Sequence, residues 1–285
     1  MRIRGFAALY ASATIFAFVT LSVKFASRYY SGLFVSGSRF AIGIVLCLAV
    51  LIFGYGRIRP VKPGLVILRG LFGALSMAAS YAAISLTGPG RATLLSNAYP
   101  LFVALFGALL FGEALKKRTL ASVALCLLGA FLVVRDGSGA AISGDLLALG
   151  SAVLAGVAIN IVRRASSSEN PFVLYLSPCL FGLPIFALAP LPAESGGVVG
   201  ILLLVAVGAG AFAAQALMAY GYGSVPAGRG SVVFYWETVL TVALGALLAG
   251  ERFNLRAVAG LCLMLGGLWI NRERRAERSG VPPGD

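Results

Sequence analysis

The sequence predicts an all-α membrane protein: ten transmembrane helices arranged as two inverted five-helix repeats. Three observations lead there. First, 59% of the 285 residues are hydrophobic, only 12% are charged, and mean hydropathy is +0.94. Second, the long apolar runs fill nearly the whole chain. Each is about the 20 residues that cross roughly 30 Å of hydrocarbon. Third, residues 90–129 align without a gap onto 228–267, an offset of 138. Gly107-Ala108-Leu109-Leu110 and Gly112-Glu113 match Gly245-Ala246-Leu247-Leu248 and Gly250-Glu251. An odd number of spans per repeat puts the halves in opposite orientations, the build of many secondary transporters.

The expected spans are 5–26, 33–53, 65–86, 91–112, 119–134, 146–163, 172–190, 198–221, 228–249 and 255–271. The first follows Arg2 and Arg4 and is too long for a signal-peptide core, so it is expected to be retained. Loops are marked by Arg57-Ile58-Arg59-Pro60, Thr87-Gly88-Pro89-Gly90, Lys116-Lys117-Arg118, Asp136-Gly137-Ser138-Gly139 and Ser166-Ser167-Ser168-Glu169-Asn170-Pro171. The runs do not alternate as barrel strands do, and in lipid only helices and closed barrels satisfy the backbone. Pro100, Pro178 and Pro184 are expected to kink their helices. The repeat extends faintly forward: Ser12-Ala13 lies 139 residues before Ser151-Ala152. The halves are 1–137 and 138–275, with 276–285 a disordered cytoplasmic tail.

With the N-terminus in the cytoplasm, 16 of the 23 Lys and Arg residues fall in inner segments and 6 in outer ones. The remaining one, Arg39, lies inside span 2. The positive-inside rule then places both termini in the cytoplasm of a multi-pass inner (plasma) membrane protein. Arg69 counts as an inner charge and Arg91 as an outer one. The net charge of +13 is explained by these loops and by the tail Arg272-Glu273-Arg274-Arg275. No basic helix face or aromatic-basic module suits nucleic acid.

The four cysteines lie in apolar runs without metal or disulfide spacing, and there is no histidine. Neither a metal nor another cofactor is expected. The Ser-His, paired-Asp and His-Glu patterns of membrane hydrolases are absent, which leaves an intramembrane enzyme a remote alternative. A channel is another; it would want charged rings or carbonyl filters. No Walker motif points to direct ATP drive, so proton exchange or downhill facilitation remains.

Polar groups inside spans are costly and face protein or a water-filled cavity. The candidates are Ser80 and Tyr81 in span 3, with Ser76 beside them; Asn97 and Tyr99 in span 4; Asn160 in span 6; Gln215 in span 8; and Tyr235, Trp236 and Glu237 in span 9. At the 138-residue offset, Asn97 aligns with Tyr235 and Tyr99 with Glu237. These groups are expected to line a central cavity bounded by spans 1, 3, 4, 6, 8 and 9, with spans 5 and 10 peripheral. The alternative for each amide is interhelical glue, worth about 0.6 kcal/mol per bond. Small-residue stripes, Ala148-Ala152-Gly156 and Ala206-Gly210-Ala214, suit close helix packing. Glu237 is a candidate proton site or a solvated surface group. Glu113 and Glu251 are expected to shape turns. Lys24 is expected to snorkel outward, Arg39 to form a structural pair at the outer mouth, with attraction of a phosphate or carboxylate as the alternative, and Trp269, Tyr29 and Tyr30 to anchor at the interfaces.

Two halves of five helices, each with Gly-Glu ending its fourth (Gly112-Glu113 and Gly250-Glu251), with Pro100 and with Arg39 in span 2, resemble the EamA-type transporters of the drug/metabolite transporter superfamily. The second half departs from the pattern, since Thr238 stands where Pro100 does; strictly symmetric motion of helices 4 and 9 is therefore not expected. The resemblance implies a monomeric exporter of small molecules, closest to bacterial exporters of amino acids, including aromatic ones. Cationic drugs or other metabolites are the alternative cargo. Candidate rings and amides with almost no fixed charge suit a zwitterion. Phosphorylated cargo would want Arg or Lys clamps.

Overall fold

The computed structural model describes residues 2–52, 60–111, 117–134, 141–165, 168–190, 196–222, 227–251 and 254–270. Glu113, the 135–140 connection and the tail lie outside them. Eleven α-helices form, and no strand appears among the described residues. They are α1 (Arg2–Ala26), α2 (Gly32–Ile52), α3 (Pro63–Thr87), α4 (Pro89–Ser96), α5 (Tyr99–Phe111), α6 (Lys117–Val134), α7 (Ile142–Ala165), α8 (Pro171–Leu188), α9 (Gly197–Tyr222), α10 (Ala227–Leu248) and α11 (Leu255–Ile270). Six stretches are long and apolar enough to cross a membrane: Ile3–Ala26, Gly32–Val50, Pro63–Thr87, Pro89–Leu109, Ile142–Val162 and Gly197–Met218. Phe172–Ala187, Trp236–Leu248 and Val258–Gly267 are shorter apolar helices. The helices present large apolar side chains outward, such as Leu247 at 79% and Leu255 at 84% exposure, as lipid-facing surfaces do.

The fourth span is broken. The proline at 100 has no N–H to give the Ser96 carbonyl. Asn97 N–H still reaches the Thr93 carbonyl (2.8 Å), but Ala98 N–H turns to Leu95 (3.2 Å) and helix resumes at Tyr99. At the equivalent place Thr238 keeps its N–H, and α10 runs unbroken. Pro178 and Pro184 sit within one continuous α8.

α1 packs on α9 and α10, and α7 packs on α3, α4 and α5. α2 lies against α8 and α9, and α3 against α8. α4 meets α10, and α6 and α11 pack chiefly on each other, apart from the rest. The small-residue stripes do what their size allows. Ala148 and Ala152 are fully buried, and a Cβ on Gly156 would strike Phe102 of α5. On the other side, the Ser12 hydroxyl donates to the Ala214 carbonyl (2.7 Å), fastening α1 to α9. The Ser76 hydroxyl donates to the Ser151 carbonyl (2.9 Å), fastening α3 to α7.

Tyr30 is not the interfacial anchor its position suggested. It is buried and stacks on Phe34 at 5.1 Å, while Tyr29 is exposed and Trp269 is half-exposed. The short turn after α1 folds Tyr30 back into the core, because its N–H is tied to the Ala26 carbonyl (2.9 Å).

Candidate functional site

The break at Asn97-Ala98 is where polar groups gather. Asn97 ends α4, and its side-chain amide crosses to α10, donating to the Thr238 hydroxyl at 2.7 Å. Thr238 is buried, and Glu237 precedes it. Glu237 lies within electrostatic reach of the Tyr81 hydroxyl on α3. Tyr81 is buried in turn under the Arg39 guanidinium, 5.4 Å from its ring centroid. The Asn97–Thr238 bond joins α4 to α10, and Glu237 and Tyr81 lie within each other's field across α10 and α3. Tyr99 and Ser80 are half-buried on adjoining elements.

The other candidates stand differently. Asn160 is 2% exposed, and its amide donates to the Val103 carbonyl of α5 (2.9 Å) and the Gly156 carbonyl of its own helix (3.0 Å). That geometry binds α7 to α5 and favours the glue alternative. Gln215 is half-buried on α9. The Trp236 ring is 44% exposed and donates its N–H to the Thr14 hydroxyl at 3.1 Å, linking α10 to α1. The side chain of Tyr235 lies outside the described residues.

A second polar centre was missed. Arg91, assigned to an outer segment, is buried at the start of α4 and forks onto Asp145 at the start of α7, with both nitrogen–oxygen distances 2.7 Å. Asp145 falls one residue before the predicted sixth span and reads as a loop charge. Its burial follows from helix docking that the sequence does not state. Glu251 does more than shape a turn. Its carboxylate reaches from the end of α10 to accept the Gly90 N–H at 3.0 and 3.2 Å, capping α4. A helix N-terminus carries partial positive charge, which a carboxylate complements. Lys24 is half-buried near the end of α1. Its ammonium points to the Ser85 carbonyl (3.5 Å), within the field of Glu251. Burial pushes the Glu251 carboxyl up from 4.5 to about 7, against the opposing pull of the Gly90 N–H, Lys24 and Arg91.

Arg69 is corrected as well. It is no inner-surface charge: its side chain lies against Gly73 and Pro178, and its Nε is buried without an acceptor. Arg39 forms no carboxylate pair among the described residues.

The long apolar helices, the fourth of them broken, have the build of a multi-pass membrane protein. The pattern of the EamA-like transporter family matches residues 3–135 and again 142–272, so the chain belongs to that family and to the drug/metabolite transporter superfamily. It is 26% identical over 276 residues to an uncharacterized transporter of Archaeoglobus fulgidus, covering 92% of this chain and 96% of that one. A solved crystal structure superposes with a TM-score of 0.64 at 23% identity, covering 95% of this chain and 96% of the other; that likeness shows the fold.

Proposed function

We propose that this transporter exports small amphiphilic metabolites, neutral and aromatic amino acids first, by alternating access around a cavity at the break in span 4. The observation that carries this reading is that break. A discontinuous helix whose Asn97 meets Thr238 beside Glu237 is the arrangement transporters use to present backbone and side-chain dipoles at the bilayer midplane. Tyr81 and Tyr99 add ring surface for an apolar side chain. Glu237 serves as the proton or ammonium partner.

Two inverted halves, 1–137 and 138–275, are part of the proposal. Support comes from contacts related by the sequence offset. Ser12 and Ser151 are equivalent, as are Ala214 and Ser76, and the bonds Ser12–Ala214 and Ser151–Ser76 join equivalent helix pairs. We place both termini in the cytoplasm of the plasma membrane and treat the working unit as a monomer. Glu237 close to Tyr81 also favours the second reading, an exporter of cationic drugs.

The test is flux into liposomes with a panel of amino acids and aromatic cations, with and without a pH gradient. Saturable movement of neutral or aromatic amino acids, slowed about tenfold or more by Asn97→Ala and Tyr99→Ala but not by Trp269→Ala, is expected. Movement of cations alone would transfer the assignment to the second reading. Movement of neither would leave only the family.

A further inference from the structure

Two arginines lie between α2, α3 and α8, and neither pairs with a carboxylate among the described residues. Arg39 is seven residues into α2 and 5% exposed. Arg69 is six residues into α3, within electrostatic range of Arg39, and its Nε finds no acceptor. The Tyr175 hydroxyl of α8, also in the field of Arg39, is buried without a partner. The Cys179 thiol lies beside it and offers at most a weak hydrogen bond. Four carboxylates are described. Asp145 is held by Arg91, Glu169 by the Val61 and Lys62 N–H groups, and Glu251 by Gly90. Glu237 pairs with neither arginine. The remaining acidic residues lie between helices or in the tail.

Guanidinium does not give up its proton in a protein. A buried charge without a partner costs several kcal/mol even after relaxation. Arg39 is buried and Arg69 half-buried with its Nε enclosed, and each lies within the other's field, so an anion between them would relieve the repulsion. The forked donors of arginine match a carboxylate bidentately, and a tyrosine hydroxyl can supply a further donor. The walls are aromatic: Tyr81 under Arg39, and Tyr175 edge-on to Phe212 at 5.5 Å. We propose that Arg39 and Arg69, with the Tyr175 hydroxyl, form an intramembrane site for the carboxylate of a small aromatic or branched monocarboxylic ligand. The inference rests on the transport reading for its cargo and adds where the negative end of that cargo is held. It also replaces the expectation of a lining almost free of fixed charge.

The probes are phenylacetate, its neutral isostere phenylacetamide, and inorganic phosphate, each added to purified protein in detergent while thermal unfolding is followed. Phenylacetate is expected to raise the midpoint and the amide and phosphate are not. Arg39→Gln and Arg69→Gln should each weaken the apparent phenylacetate affinity at least about tenfold. Arg39→Lys, which keeps the charge and loses the fork, and Tyr175→Phe should weaken it less. These two variants carry the test if the glutamine variants do not fold. Equal stabilisation by the amide, stabilisation by phosphate alone, or unchanged affinity in the Arg39→Lys and Tyr175→Phe proteins overturns the site. Amino-acid flux that survives Arg39→Gln with Arg69→Gln overturns the site and leaves the transport reading intact. Phenylacetate binding that needs both arginines, in vesicles that move no amino acid, retains the site and removes the amino-acid reading.

Discussion

Asp145 takes both forks of Arg91 with neither group exposed beyond 6%. Removing one partner strands the other in a medium that cannot solvate it, a loss of about 3–5 kcal/mol. Asp145→Ala is therefore expected to destabilise the protein by that amount in denaturant unfolding. The apolar pair Arg91→Met with Asp145→Leu should recover most of it; a single variant costing under about 1 kcal/mol would show that water reaches the pair. Glu251 gives a pH-dependent prediction. Its folded pKa, about 7, is above the ordinary 4.5. Between those values the folded chain holds a proton that the unfolded chain has released, so its contribution is full below 4.5 and is lost as pH rises through 7. Wild type should melt lower at pH 8 than at pH 5, and Glu251→Gln should narrow that difference. An unchanged difference in Glu251→Gln would clear this carboxyl of the effect. Neither group was legible as buried from the chain. Each stands at the edge of an apolar run, where a charge reads as solvated, and only the docking of α4 on α7 and α10 encloses it.

The helices themselves were legible, because runs of this length and hydropathy have no alternative in lipid. So was the fault in the fourth, since Pro100 announces a missing donor. The unbroken α10 follows from Thr238 in the same register. The partnership between the two was not legible: the Asn97 amide bridges the fault to Thr238, and nothing in either segment alone names the other. Pro100→Ala restores the donor, and a proline within a helix costs about 3 kcal/mol. It should raise the unfolding midpoint and slow flux, because the ends α4 and α5 present at the fault would fuse. A Pro100→Ala protein with wild-type flux would show that the fault has no part in transport. Gly88 joins α3 to α4 at a φ of 102°, and a Cβ there would strike the Glu251 carboxylate. Gly88→Ala is expected to cost about 1–3 kcal/mol from backbone strain and to displace the α4 cap, which Gly250→Ala, in open space at φ 70°, would not.

For the chain as a whole, an offset of 138 residues has a consequence that can be read without a ligand. In the proposed arrangement, five spans per half invert the second half, so equivalent loops would lie on opposite faces of the membrane. Lys62, before α3, and Gly200, early in α9, occupy equivalent positions in the repeat. The proposed orientation has the first on the cytoplasmic face and, by inversion, the second outside. Single cysteines at Lys62 and at the exposed Val198, in a variant whose own four cysteines are replaced by Ala or Ser, should therefore label from opposite sides. A membrane-impermeant maleimide added to intact cells is expected to modify the cysteine at 198 and to reach the one at 62 only after permeabilisation. The bonds Ser12–Ala214 and Ser151–Ser76 then serve as paired seams between the halves. Each hydroxyl bond across helices is worth about 0.6 kcal/mol, so Ser12→Ala and Ser76→Ala, which remove the two donors, should weaken the fold modestly and by similar amounts. Labelling of both cysteines from the same side would end the inverted arrangement, and the pairing of the seams would then need another cause.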